Sequence, residues 1–442
     1  MNLKSTQYYS PAVLVLAMGL ILCGEAWAQE ELPVVHANST KADIQDGNRF
    51  LRGGWTIQSD VELDTYYARR AKGDRKITFR TDLDSISFDV RPGKSYDFIV
   101  LLNGQRCRTR ISTLHEVGYK ENVPGVLEEG SIPFTIGRDL KIHMTGKINE
   151  SPSLDLLFDT GADTCAVFPS GLAKIPNLRV DGTVKNGGVG GIVTCNTSSD
   201  NRILLGTMHW DHESFVLIDK QLDQADGLIG HNLFENKVVE IDFDAGVLRL
   251  SDSVPERAKA WTSLPIRFNG TLPSIQVRVD CGHESFDEWL VMDTGSHTSV
   301  HLSGRTSKQS RLFGSLKQLG ESLSGGTGDG VIRSQMVRLP KMNMGNLELA
   351  GLPIEIEVAS QDSTEPSGYL GMDVLKRFNM VLDFQNNVAY ISPSTHFENS
   401  YRADGTDNRW RVAVGTIVVI LVVIGVIFYR RRVIAKRSKG LT

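Results

Sequence analysis

Two Asp-Thr-Gly tripeptides, Asp159-Thr160-Gly161 and Asp293-Thr294-Gly295, stand 134 residues apart, each at the end of a short apolar run, Leu154 to Phe158 and Trp289 to Met292. A strand that ends in such a tripeptide presents a carboxylate where the chain must turn. Two carboxylates brought to within ~4 Å at an effective dielectric of about 20 repel by about 4 kcal/mol, roughly three pK units. They cannot both ionise readily, so one keeps a proton while the other is a base, and the pair titrates as a unit. Such a pair can deprotonate a water and protonate a carbonyl oxygen in one step, which is general acid–base hydrolysis without a covalent intermediate. The neighbouring residue types fit that chemistry. Gly161 and Gly295 allow close backbone approach, and the Thr160 and Thr294 hydroxyls can hydrogen-bond across an interface to hold the acids coplanar.

The tripeptides belong to an internal repeat. In the first copy Ile132-Pro133-Phe134, the Asp159 motif, Asp226-Gly227-Leu228-Ile229-Gly230 and Ile241-Asp242-Phe243-Asp244-Ala245-Gly246-Val247 follow in order. In the second, Leu264-Pro265-Ile266, the Asp293 motif, Ser367-Gly368-Tyr369-Leu370-Gly371 and Leu382-Asp383-Phe384-Gln385-Asn386-Asn387-Val388 do the same. The last two blocks are offset by 141, so the second copy carries seven extra residues after its Asp-Thr-Gly. The local pattern is that of strands, with hairpins expected at Asp242–Gly246 and Asp383–Asn387. Only short helices are expected, around Asn232–Asn236 and Met372–Phe378. Between the motifs lie two glycine-rich stretches, Gly187-Gly188-Val189-Gly190-Gly191 and Gly325-Gly326-Thr327-Gly328. No Gly-Lys-Ser/Thr follows either, which excludes a phosphate cradle.

Over about 131–393 this pattern closely resembles the aspartic proteases of the retropepsin-like kind. The segments Leu157–Asp163 and Leu228-Ile229-Gly230-His231-Asn232-Leu233 are similar to the retroviral active-site and Ile-Gly-Arg-Asn-Leu segments. The resemblance implies an aspartic-type endopeptidase with Asp159 and Asp293 as catalytic residues and Thr160, Gly161, Thr294 and Gly295 as dyad support. It makes residues 187–191 and 325–328 substrate-binding flaps, and it implies a polypeptide substrate and no cofactor. Retroviral enzymes pair two identical chains. This chain holds both halves, which implies an intramolecular pseudo-dimer in the manner of pepsin-like enzymes, and a monomeric catalytic unit. Neither flap carries an obvious tyrosine. The competing class is a non-catalytic surface protein that holds peptides on the same scaffold; a third reading pairs each copy with another chain.

Other chemistry is poorly represented. The 442 residues carry 48 Lys+Arg against 52 Asp+Glu, a net charge of −4 that leaves no electrostatic footprint for nucleic acid. Forty per cent hydrophobic and 23% charged residues describe a globular chain. His209 with His212, and His297 with His301, have spacings that suit a metal on a helix, but they fall in β-like segments without a third ligand, so no metal site is expected. No Gly-x-Ser-x-Gly nucleophile pattern occurs.

The ends bear on location. Residues 1–28 read as a signal peptide: Lys4, an apolar run from Ala12 to Leu22, then Ala26-Trp27-Ala28. Val412 to Tyr429 is an 18-residue stretch without a charge, long enough as a helix to cross a bilayer, and Arg430-Arg431-Arg432 open a tail with six Lys/Arg and no acid. The expectation is a single-pass membrane protein with its bulk extracytoplasmic, in periplasm, lumen or at the cell surface, and its C-terminus cytoplasmic. Cys107, Cys165, Cys195 and Cys281 remain after signal removal, and Cys165 with Cys195 is the expected disulfide. The layout is a mainly β chain: signal peptide 1–28, a small N-terminal β domain or propeptide 29–126, retropepsin-like β-barrel lobes 127–255 and 256–394, a linker 395–411, the transmembrane helix 412–429 and the tail 430–442. Asn103-Gly104 marks a hairpin within the N-terminal domain, and Arg69-Arg70 is a weak processing signal.

Overall fold

The computed structural model describes residues 32–47, 49–69, 74–113, 118–119, 130–304, 313–358 and 367–402. The signal segment, the apolar run 412–429 and the basic tail lie outside them. Among the described residues no helix is long and apolar enough to cross a membrane.

The chain is mainly β, and each repeat copy builds the same series of ten strands, from Ser131–Ile136 to Val247–Ser251 and from Thr262–Asn269 to Val388–Pro393. The strand Leu154–Asp159 is apolar at four of its six positions, and those four are buried on both of its faces. Leu154, Leu156 and Phe158 enter the large core shared by both lobes, while Leu157 packs with Ala166, Phe168 and Leu228 in a smaller cluster. The hairpins at 243–246 and 384–387 turn alike. Asp242 accepts the Ala245 N–H at 2.9 Å and Asp383 the Asn386 N–H at 3.1 Å, and the equivalent residues Gly246 and Asn387 have φ of 65° and 58°. These acids are turn residues. The helical turns are short, His231–Phe234 and Met372–Leu375.

The lobes join through a six-stranded antiparallel sheet in the order 131–136, 247–251, 238–242, 378–383, 388–393, 262–269. At its centre Glu240 pairs with Val381, the residue 141 positions on and thus its own counterpart in the other copy. A pseudo-twofold axis therefore passes through this pair.

Residues 32–113 form a separate unit of two four-stranded sheets, ordered 34–37, 95–102, 105–113, 64–68 and 49–56, 41–46, 75–80, 85–90. Trp55, Phe79 and Phe98 stack edge-on in its core. Asn103 and Gly104, with φ of 52° and 83°, make the two-residue turn between Leu102 and Gln105.

This unit is bolted to the lobes by a buried cation. The Arg49 guanidinium lies 2.9 Å from Glu235 of the first lobe, donates to the Thr271 carbonyl of the second at 2.9 Å and stands 3.3 Å over the Phe268 ring. Arg49 is 6% and Glu235 3% exposed. Burial pushes the Glu235 carboxyl up, but the Arg49 charge and a His231 hydrogen bond outweigh it and leave it at about 2. The contact therefore stabilises the fold fully above the ordinary carboxyl range and loses that contribution as pH falls through it toward 2.

Two expectations are corrected. The four cysteines are buried thiols and form no disulfide. Strand alternation explains why: Cys165 and Val167 face the shared core, whereas Ala166 between them faces the cluster that contains Cys195. Nor is Arg69 a reachable processing point in the folded unit, since it is 9% exposed and its backbone N–H is bonded to Asp46 at 3.2 Å; Arg70 lies outside the described residues.

Replacing Arg49 by Ala strands a buried carboxylate. It should destabilise the chain by about 3–5 kcal/mol, and Arg49→Met with Glu235→Gln should recover most of the loss. Urea unfolding followed by tryptophan fluorescence measures both.

Candidate active site

The Asp-Thr-Gly motifs end neighbouring strands, 154–159 and 285–292, and each is backed by a parallel strand from its own lobe. Asp159 sits opposite Gly230, and the Asp293 N–H donates to the Leu370 carbonyl at 2.9 Å. The apolar-apolar-Gly blocks end in glycine for a steric reason. A Cβ at Gly230 or Gly371 would stand 2.4 or 2.3 Å from the Thr164 or Thr298 carbonyl oxygen.

The motifs meet across the pseudo-axis. Thr160 Oγ1 donates to the Met292 carbonyl (2.7 Å) and accepts the Thr294 N–H (3.0 Å). Reciprocally, Thr294 Oγ1 donates to the Phe158 carbonyl (2.8 Å) and accepts the Thr160 N–H (2.9 Å). Both threonines are fully buried. Each hydroxyl thus uses its donor and an acceptor on the opposite copy, so neither motif can shift without breaking all four bonds. The result sets the two carboxyl groups against each other: a Cβ placed on Gly161 would lie 2.7 Å from Asp293 Oδ1 and 3.1 Å from Asp159 Oδ1. A Cβ on Gly161 would lie 2.7 Å from the Asp293 carboxyl carbon, and one on Gly295 2.4 Å from that of Asp159. Each aspartate therefore rests against the other motif's glycine. The Gly161 N–H donates to Asp159 Oδ1 at 2.8 Å.

Each carboxylate keeps a partly accessible face and is otherwise enclosed by protein. Burial raises both carboxyls above the usual range, Asp293 further because the Asp159 charge adds to the effect. These are the conditions under which one proton is shared. The Lys141 ammonium, paired with Asp223 at 2.5 Å, pulls both carboxyls back down. Sequence pattern had offered no reason to single out Lys141, because it acts through space from the loop before the strand Ile142–Ile148.

The glycine-rich stretches are hairpin tips. In the first lobe Gly182–Gly188 and Gly191–Leu205 turn through Val189-Gly190; in the second Lys317–Ser324 and Ile332–Met344 turn through 325–331. The tips join each other: the Gly328 N–H donates to Val189 at 3.0 Å and the Gly330 N–H to Gly190 at 2.8 Å. A Cβ at Gly188 would meet Thr327 Oγ1 at 2.0 Å, and those at Gly326 and Gly328 would meet Val189 and Gly190 at 2.8 and 2.3 Å. Gly190 and Gly191 have φ of 94° and 112°. Gly187 and Gly325 have open space around them. Because equivalent tips touch, their contact lies on the same pseudo-axis as the dyad.

The copies differ beside the acids. Asp163 accepts the Thr271 hydroxyl at 2.5 Å, and its counterpart 134 positions on is His297. Three of the four histidines considered for a metal pair with acids instead: His209 is 3.4 Å from Asp211, His301 3.6 Å from Glu355, and His212 pairs with Asp200.

Among solved structures the chain is similar to an aspartic proteinase from Irpex lacteus, at 13% identity and a TM-score of 0.45, over 62% of this chain and 99% of that one. No family model and no curated protein matches it.

Lys141→Met removes a charge that lowers both carboxyls, so both should titrate at higher pH in the variant than in the parent chain. Carboxyl titration followed by NMR reads this; unmoved or lowered midpoints contradict it.

Proposed function

We propose that this chain is a membrane-anchored aspartic endopeptidase, built from two retropepsin-like lobes joined in one polypeptide. The observation that carries this reading is the pair of carboxylates brought together from equivalent strand ends and locked by reciprocal threonine bonds. A water seated between the acids gives its proton to the ionised one as it attacks the peptide carbon. The protonated one gives its proton to the carbonyl oxygen. The tetrahedral diol then collapses as a proton passes to the amine nitrogen and the C–N bond breaks. The flap tips, joined across the axis, would have to part for a polypeptide to enter and would shut water out once it is bound. The apolar run 412–429 would hold the lobes at the outer face of a bilayer.

An intramolecular dyad needs both acids. Asp159→Asn and Asp293→Asn, made separately, should each cut peptide hydrolysis by roughly 10²–10⁴-fold or more in a monomeric sample, read by mass spectrometry of cleaved peptides across acidic to neutral pH. Substantial activity in either variant removes the mechanism. For the anchor, a chain ending at residue 402 should leave the membrane fraction while the full chain stays in it through alkaline carbonate washing.

A further inference from the structure

A cavity of about 390 Å³ opens between the N-terminal unit and the first lobe. Its lobe wall carries Asp163, four residues past Asp159, and Gly187, on the strand that leads to the first flap tip, so it borders the space in which a peptide would meet the dyad. The opposite wall is the N-terminal unit, which contributes Asp64 and the rings of Trp55, Tyr66 and Tyr67. We propose that this cavity is a substrate subsite for a basic side chain, arginine or lysine, on one side of the scissile bond, with Asp64 and Asp163 as its acceptors and the N-terminal unit as a wall of the substrate cleft. The proposal rests on the endopeptidase reading above.

Charge selects the ligand. The cations that line the cavity already have partners: Arg49 is 2.9 Å from Glu235, Arg69 3.8 Å from Asp46 and Lys185 2.6 Å from Asp60. Asp64 and Asp163 are left with neutral donors. Asp64 Oδ2 accepts the Trp55 indole N–H at 3.0 Å and the Gln58 N–H at 2.9 Å, and Asp163 Oδ2 accepts the Thr271 hydroxyl at 2.5 Å. Among the described residues neither acid has a cation within ion-pair distance. Asp64 is 3% exposed, and a carboxylate that deep is ordinarily paired. Burial raises its carboxyl to about 6 against the pull of its two hydrogen bonds and the more distant Lys185 charge, which leaves it ionised at neutral pH and short of a counter-charge. The rings beside it attract a cation and pack its aliphatic stem. Among the described residues no three acid, histidine or cysteine side chains cluster to hold a metal ion, so the walls suit an organic cation better than a bare one. The second lobe does not repeat the arrangement. The counterpart of Asp163 there is His297, held below its ordinary range by burial and by the Arg402 and Lys141 charges, surroundings that repel a cation. The preference is therefore one-sided.

The test digests a randomised decapeptide library at pH 7 with the full chain in detergent micelles and sequences the products by mass spectrometry. Arginine and lysine should be enriched at a position on one side of the cleaved bond only. Matched peptides with arginine or its neutral isostere citrulline at that position then isolate the charge, and the unmodified chain should favour arginine by about five- to twentyfold in kcat/KM, the worth of one charge-assisted hydrogen bond. Asp64→Asn keeps an oxygen for the Trp55 and Gln58 N–H groups and should bring the ratio below a third of its parent value. If that variant fails to fold, Asp163→Asn, which can still accept the Thr271 hydroxyl, is read in the same way. Cleavage with no basic enrichment, with equal enrichment on both sides, or with an arginine-to-citrulline ratio that the variant retains overturns the subsite alone. If the unmodified chain cleaves no peptide, the endopeptidase reading fails and the subsite with it.

Discussion

Two carboxyl groups forced together in a protein interior repel unless a proton sits between them, and the rest of this architecture can be traced to holding them there. The restraint is the exchange of hydrogen bonds between Thr160 and Thr294, each hydroxyl bonded to the backbone of the other copy. It is a twofold solution to a twofold problem. A single lobe would leave its buried threonine hydroxyl without a donor target and its aspartate without a partner, so the site exists only where the copies meet.

The interface that enforces the meeting is larger than the site. Three strands from each copy lie side by side in one sheet whose central pair, Glu240 with Val381, lies on the axis. The dyad and the joined flap tips share that axis. Backbone pairing fixes the lobes to each other at one end, and the glycine-rich tips meet at the other. The symmetry is broken beside the acids and at the tips. One copy has Asp163 where the other has His297, the second tip is the longer, and the first flap strand is tied to the N-terminal unit through Lys185 and Asp60.

Much of this was legible in the sequence because it is local or repeated. The hairpin at Asn103-Gly104, the Asx-type turns at Asp242 and Asp383 and the short helices after Gly230 and Gly371 follow from turn chemistry over a few residues. The meeting of Asp159 and Asp293 followed from the repeat, since equivalent residues in paired copies meet on an axis. The cysteine pairing failed because compartment and count say nothing about which face of a strand a thiol occupies. Cys165 and Cys195 lie in different hydrophobic clusters, a matter of one-residue alternation in a three-residue strand.

Sequence alone determined the residue types of the dyad, their supports and the glycine tips, since acid chemistry, threonine bonding and close backbone approach each demand particular side chains. Only the tertiary structure decided where the N-terminal unit sits. Arg49 and Glu235 are 186 positions apart, and neither stands in a motif or a periodic pattern. A buried ion pair of that kind depends on the shapes of two folded surfaces, and no short-range feature of the chain encodes it.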